Sequence, residues 1–210
     1  MDPQSIRIWQ QNARKLLTTQ LATLHSVEDE YDIICIQELH IDFQAMSRAT
    51  SVWTTVYPSG FKHDKNGPPA RALTLVRTRI LTNNWTQTPI DSPDVVAIRL
   101  TCARGTLHVY NIYNDCTHSD TVHALSRPPS TPTITNSRGG QTRPDNIFIT
   151  RNIENWITVC EVRPDDTPPL ADHFPIVTHV DFPVPRPTTN RPWNFQGPTG
   201  STFAGGWQRS

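Results

Sequence analysis

Glu38 and His40 stand at the end of an apolar run, "DIICIQELHI" at Asp32–Ile41. A core strand aims such a carboxylate rigidly, and a carboxylate so placed can hold Mg2+, which takes oxygen ligands and keeps waters for a substrate. Other polar residues share the position. Asn12 follows "SIRIW", Tyr113 closes "GTLHVYNIY", and the Asp172–His173 pair is grouped with them at a strand end. Asp145 instead opens "DNIFIT". In layered α/β proteins, ligand sites collect where a sheet aims side chains into a crevice. Each residue also has a plainer role open to it. Glu38 would be a solvated strand-end charge, Asn12 a helix cap, Tyr113 a half-buried strand aromatic, Asp145 a turn residue after Arg143-Pro144, and Asp-His dipeptides are common.

The elements that would hold these residues follow from periodicity. Ser5–Trp9 alternates as a strand, and Leu17, Leu21 and Leu24 recur at helical spacing within Arg14–His25, predicting an amphipathic helix. "DIICIQE" follows as a strand. Strand, helix, strand is a crossover unit, so these two strands should be parallel. The tail of "MSRATSVWTTVYPSG", then "RALTLVRTRI", "DVVAIRLTC" and "GTLHVYNIY", read as short strands separated by turn signals. "HSDTVHAL" starts like a helix, with Ser119 as its cap. The aperiodic "SRPPSTPTITNSRGGQTRP" follows. "DNIFIT", "WITVCEV" and Ile176–Phe182 read as strands, and the chain after Pro183 as a proline- and glycine-rich tail. The expected domain is therefore 5–183, with 184–210 as tail or linker.

The bulk numbers allow this. A chain of 210 residues can bury one core. Lysine plus arginine and aspartate plus glutamate are 19 each, so any nucleic-acid surface must be a local patch. Arg14, Lys15, Lys62 and Lys65 are candidates for phosphate contacts, with a solvated surface as the alternative. The four cysteines lack CxxC spacing, which argues against a zinc site, and Cys35, Cys102 and Cys160 read as reduced, buried small hydrophobes. With no signal peptide and no run of about 18 apolar residues, a soluble, intracellular protein without a membrane partner is expected.

Five blocks, in order, carry a resemblance: "QNARK" at Gln11–Lys15, "DIICIQELHI", "VYNIYND" at Val109–Asp115, "TRPDNIFIT" at Thr142–Thr150 and "LADHFPIVTHVDFP" at Leu170–Pro183. Together they resemble the endonuclease/exonuclease/phosphatase superfamily, the DNase-I-like fold, and more closely the endonuclease domains of LINE-type retrotransposons, particularly those of fungal genomes. The resemblance implies an α/β fold, a four-layered sandwich of two mixed sheets flanked by helices. It implies Mg2+-dependent cleavage of a DNA phosphodiester, with Mn2+ as a substitute ion, by a nuclear protein, and a monomer is expected if the chain folds. It assigns Glu38 as metal ligand and gives Asn12 the phosphate and the metal water. Tyr113 would contact the scissile phosphate, and His173 would touch phosphoryl oxygens while Asp145 orients its ring. Asp172 joins the cluster, and Arg14 and Lys15 fall on the nucleic-acid side.

The chain departs from this pattern in one place. A Gly-Asp-Phe-Asn block is due between "NIY" and "RPDN", and "HALSRPPSTPT" runs past the place, near 125–131, without it. Its aspartate would position the attacking water, and the strand bearing it would be central to the fold. Asp115, close after Tyr113, and Asp120 are the candidate substitutes. The pattern therefore implies an incomplete sandwich and an impaired phosphodiesterase, as a decayed or mis-spliced retroelement fragment would show. A DNA- or phosphate-binding remnant without catalysis is the alternative, and a phosphoesterase for small esters a third.

Overall fold

A computed structural model describes residues 5–64, 67, 69–113, 134–135, 141–142 and 151–186. Among the described residues the first sheet has six strands in the order β10-β11-β1-β2-β4-β3. These are β1 (Ile6–Asn12), β2 (Ile33–Gln37), β3 (Trp53–Val56), β4 (Ala72–Arg77), β10 (Ile157–Val162) and β11 (Ile176–Val180). The second sheet is β5 (Trp85–Thr88), β6 (Val95–Cys102) and β7 (Gly105–Ile112), in that order. β8 (Ile134–Thr135) and β9 (Gln141–Thr142) form a separate two-residue pairing within the stretch expected to be aperiodic. One α-helix, α1 (Leu17–Val27), joins β1 to β2.

The crossover is as expected: β1 and β2 are parallel, with Ile8 opposite Ile33 and Asn12 opposite Gln37. Every other described pairing in both sheets is antiparallel, so the first sheet is mixed and the second is not. The apolar run of β2 has a simple cause. Ile33 and Cys35 face the second sheet, together with Ile6, Ile98, Leu100 and Leu107. Ile34 and Ile36 face the helix side, together with Trp9, Leu24, Leu73 and Val177. A strand covered on both faces reads as continuous hydrophobic sequence. Among the described residues this gives three layers of the expected sandwich: α1, the first sheet and the second sheet.

The helix is correct in place and different in its buried face. Leu17 and Leu21 are 36% and 44% exposed, and only Leu24 of the leucine stripe is buried. Thr19, Gln20 and Thr23 face inward instead. They do so because each has a partner: Thr19 Oγ1 donates to the Pro169 carbonyl at 2.9 Å, and Thr23 Oγ1 to the Thr19 carbonyl at 3.0 Å. Gln20 Nε2 donates to Ser47 Oγ at 2.8 Å and the Arg48 carbonyl at 2.7 Å, while its Oε1 accepts from His40 N–H at 3.0 Å. The polar face of α1 thus pins two loops, the one after β2 and the one before β11.

Several other expectations need correction. β5, in "WTQT", was not anticipated, because it is short and ends against a proline. The last strand stops at Val180 rather than Phe182. Of the cysteines read as buried, Cys35 is, Cys102 is half-buried, and Cys160 is exposed on the edge strand β10. The packed chain also continues past Pro183. Val184 is buried, and Arg186 donates to Asp32 Oδ2 and the Ser5 carbonyl. Asp32 is fully buried and also accepts from Arg7 N–H and Arg79 Nε, so its charge is satisfied on every side. Among the described residues no helix is long and apolar enough to cross a membrane. "HSDTVHAL", "DNIFIT" and residues Asp115, Cys116, Ser119, Asp120, Lys65 and Asp145 lie outside the described residues.

Candidate active site

The C-terminal ends of β1 and β2 are laced together beyond their ladder. Ala13 N–H donates to the Gln37 carbonyl at 2.9 Å, and Lys15 N–H to the Glu38 carbonyl at 2.6 Å. On the other side of β2, Glu38 N–H donates to the Arg71 carbonyl at 2.9 Å. These bonds hold three non-glycine residues at positive φ: Arg14 at 51°, Lys15 at 61° and Glu38 at 45°. Such conformations cost on the order of 1–2 kcal/mol each for a side chain with a Cβ. The strain turns the chain out of the sheet, so half-buried Glu38 leaves the line of β2. A buried strand ends in a carboxylate here because the backbone bends out of the strand at that residue.

Glu38 and Tyr113 come together as their strand-end positions suggest. The Tyr113 hydroxyl donates to Glu38 Oε1 at 3.0 Å, across from the second sheet to the first. Tyr113 is therefore more than a strand aromatic. Its ring lies under the Arg71 guanidinium, 5.0 Å from the centroid. Asp94 grips that guanidinium through both carboxylate oxygens. The Asp94 carbonyl also accepts from Tyr113 N–H at 2.8 Å. Behind these residues, Gln37 Nε2 donates to Asn111 Oδ1 at 2.6 Å, and Asn111 Nδ2 donates to the Ile36 and Leu73 carbonyls.

Asn12 is not the cap of α1, whose N-cap is Leu16 without a side-chain bond. It is buried, and its Oδ1 accepts from Arg14 N–H at 2.9 Å, closing the turn that follows β1. Asp172 and His173 precede β11 rather than follow a strand. β11 runs antiparallel to β1, with Gln10 opposite Ile176, so the pair still arrives at the same end of the sheet. Gln11 holds it there, Nε2 donating to the His173 carbonyl at 2.8 Å. Asp172 Oδ2 lies 3.3 Å from Arg14 Nε, and Asp172 Oδ1 lies 4.0 Å from His173 Nε2. Arg14, expected on the nucleic-acid side, thus has an acidic partner in its own chain, while its side chain remains half exposed. Lys15 is exposed. Asp145, expected to orient His173, lies outside the described residues.

For a divalent cation the donor set is sparse. Among the described residues no group of three or more acidic, histidine or cysteine side chains could hold a metal ion. Mg2+ is commonly held by one or two carboxylates plus waters and substrate phosphates. Glu38, whose Oε1 keeps a lone pair beyond the Tyr113 bond and whose Oε2 has two, has that capacity. The residues present fit a water-rich ion held by a single protein carboxylate.

Sequence reasoning missed Gln11, Gln37, Arg71, Asp94 and Asn111. One of them left a signal. In "LHVYN", Leu107 and Val109 face the core, so Asn111 occupies an inward position where an apolar residue would be the rule.

With this geometry the chain can be set beside known proteins. It is similar to the solved structure described as the endonuclease domain of TRAS1, a telomere-specific non-LTR retrotransposon, with a TM-score of 0.63 over 85% of this chain and 99% of that one. The fold is DNase-I-like. Sequence identity over the match is 11%, which leaves the likeness one of fold. No family profile and no curated protein matches the chain. In this chain the ends of β1, β2 and β7 and the start of β11 meet at one rim of the paired sheets. That rim carries Asn12, Glu38, Tyr113, Asp172 and His173.

Proposed function

We propose that this rim is the phosphodiester-hydrolysing site of a retroelement-type DNA endonuclease, present in impaired form. The observation that carries the proposal is the Tyr113–Glu38 contact at 3.0 Å, in a fold shared with a retrotransposon endonuclease domain. A tyrosine hydroxyl and a carboxylate in contact across two sheets, with an Asp-His pair at the same rim, match the roles the sequence blocks imply.

In this reading Glu38 would hold Mg2+, whose charge would offset the negative charge that builds on the phosphoryl oxygens during attack by water. Tyr113 holds the carboxylate in one orientation and offers its hydroxyl beside the scissile phosphate. The buried Asn12 amide would bind phosphate and the metal's water. The His173 imidazole would stabilise the phosphoryl oxygens, and the Asp172 carboxylate, tied to Arg14, lies 4.0 Å from that ring's Nε2. Asp145 would orient His173. Arg14 and Lys15, at the turn after β1, flank the strand to be cut.

The impairment follows from the sequence. Without the Gly-Asp-Phe-Asn block, no aspartate is assigned to orient the attacking water, and loss of a general base typically removes 10²–10⁴-fold in rate. Purified chain should therefore nick supercoiled plasmid slowly with Mg2+, and a Glu38→Ala, His173→Ala double variant should not nick at all. Equal nicking by both would refute the assignment. A second reading, a DNA-binding remnant without cleavage, is favoured by the lack, among the described residues, of any group of three or more acidic, histidine or cysteine side chains able to hold a metal ion. It predicts salt-sensitive DNA binding by a parent that never nicks.

A further inference from the structure

The interface between the two sheets is apolar along most of its length, lined by Ile6, Ile33, Cys35, Ile98, Leu100 and Leu107. At the rim Gln37 and Asn111, 4% and 2% exposed, meet across it. The Asn111 amide has a single workable orientation. Its Nδ2 donates to the Ile36 carbonyl at 3.2 Å and the Leu73 carbonyl at 2.9 Å, and its Oδ1 accepts from Gln37 at 2.6 Å. Turning the amide over would set an oxygen against two carbonyls and an NH2 against an NH2. Ile36 and Leu73 are register partners in β2 and β4, so one side chain from the second sheet is stitched into a rung of the first. The arrangement leaves Gln37 Oε1 buried without a hydrogen-bond partner, a cost of about 1–3 kcal/mol. Two apolar side chains in this place would avoid that cost.

Position along the chain shows what the bridge controls. Gln37 directly precedes Glu38, and Asn111 lies two residues before Tyr113. The Tyr113–Glu38 bond crosses the same gap, one step nearer the rim. A change of about 1 Å in that gap would take a 3.0 Å contact out of hydrogen-bond range.

We propose that Gln37 and Asn111 are positioning residues: their amide bridge sets the inter-sheet spacing that places the Tyr113 hydroxyl on the Glu38 carboxylate. The contact they set is the one assigned above to phosphodiester hydrolysis, and only the catalytic meaning of the bridge rests on that assignment.

The test is NMR of the full chain labelled with 13Cζ-tyrosine, in which the four tyrosines give four reporters. The Tyr113 resonance is identified by its loss in Tyr113→Phe, and its position without a carboxylate partner by Glu38→Ala. Gln37→Met keeps the volume and removes the donor. The bridge requires the Tyr113 resonance to move in Gln37→Met to its Glu38→Ala position while Tyr31 and Tyr57 stay in place. Leu107→Ala, a core truncation on β7, should lower stability and leave Tyr113 where it is. An unmoved Tyr113 in folded Gln37→Met overturns the proposal, as does an equal movement in Leu107→Ala. If Gln37→Met does not fold, side-chain amide exchange of Gln37 in the parent decides. Exchange as slow as that of the Ile36 backbone N–H supports the bridge, and exchange at the rate of an exposed amide overturns it. If Tyr113 moves as required but the chain neither binds Mn2+ nor cuts DNA, the positioning role stands and the hydrolytic reading falls.

Discussion

Replacing Gln20 by alanine should destabilise the protein far more than replacing Leu21, although a helical wheel suggests the reverse. Gln20 is fully buried and makes three hydrogen bonds, to Ser47 Oγ, the Arg48 carbonyl and His40 N–H. Each is worth about 0.5–1.5 kcal/mol net, so their loss together is worth about 3 kcal/mol. Arg48 is exposed and His40 half-buried, so water can reach part of what is orphaned, and that keeps the figure from rising further. Leu21 is 44% exposed, and its truncation should stay within about 0.5 kcal/mol. Urea unfolding is the assay. With an m-value of about 2 kcal/mol/M, the Gln20→Ala midpoint should fall by about 1.5 M. Hydrogen exchange should localise the effect, with His40 N–H losing protection before the strands do. A Gln20→Ala loss below about 1 kcal/mol, or a larger loss for Leu21→Ala, would refute the claim that α1 holds the site loops through its polar face.

Three further outcomes are expected. Asp32→Ala should cost about 3–5 kcal/mol in urea unfolding, because it strips Arg79 and Arg186 of a fully buried partner; a loss under about 1 kcal/mol would contradict that. Burial, then the charges of Arg7 and Arg163, lower the His179 pKa from its ordinary 6.5. The unfolded chain therefore binds the extra proton first, and the stability from neutral His179, fully present above about 6.5, falls as pH drops through that value. A His179→Gln variant should lose less stability than the parent between about pH 7.5 and 5.5, and an identical loss would count against this. Burial pushes the Cys35 thiol up to about 12, so mass spectrometry after alkylation of the native chain should find exposed Cys160 modified and Cys35 not.

What the sequence shows about this fold depends on which side chains face what. The parallel β1–β2 unit was legible because β2 is covered on both faces and so is apolar throughout. Glu38 and Tyr113 were legible as strand-end polar residues, a position where ligand sites collect. The inward face of α1 was not legible, because periodicity cannot show that Thr19, Gln20 and Thr23 find hydrogen-bond partners in loops far along the chain. The exposed leucines then looked like the buried face. Arg71 and Asp94 were invisible for a similar reason, since their pairing depends on how the two sheets are laid together. Arg186 lies in a stretch whose prolines suggest a tail, and its bonds to buried Asp32 and the Ser5 carbonyl depend on contacts far along the chain.

The measurement that tests the site most directly is a Mn2+ titration followed by electron paramagnetic resonance, with Mn2+ standing in for Mg2+ at oxygen ligands. The parent chain and Glu38→Ala would be compared, each with and without a short DNA duplex. The proposed site predicts one bound ion in the parent, tighter with DNA because phosphate oxygens complete its shell, and loss of that ion in Glu38→Ala. Equal binding by both chains, or no binding by the parent even with DNA, would contradict the assignment of this rim as a metal-dependent phosphodiester site.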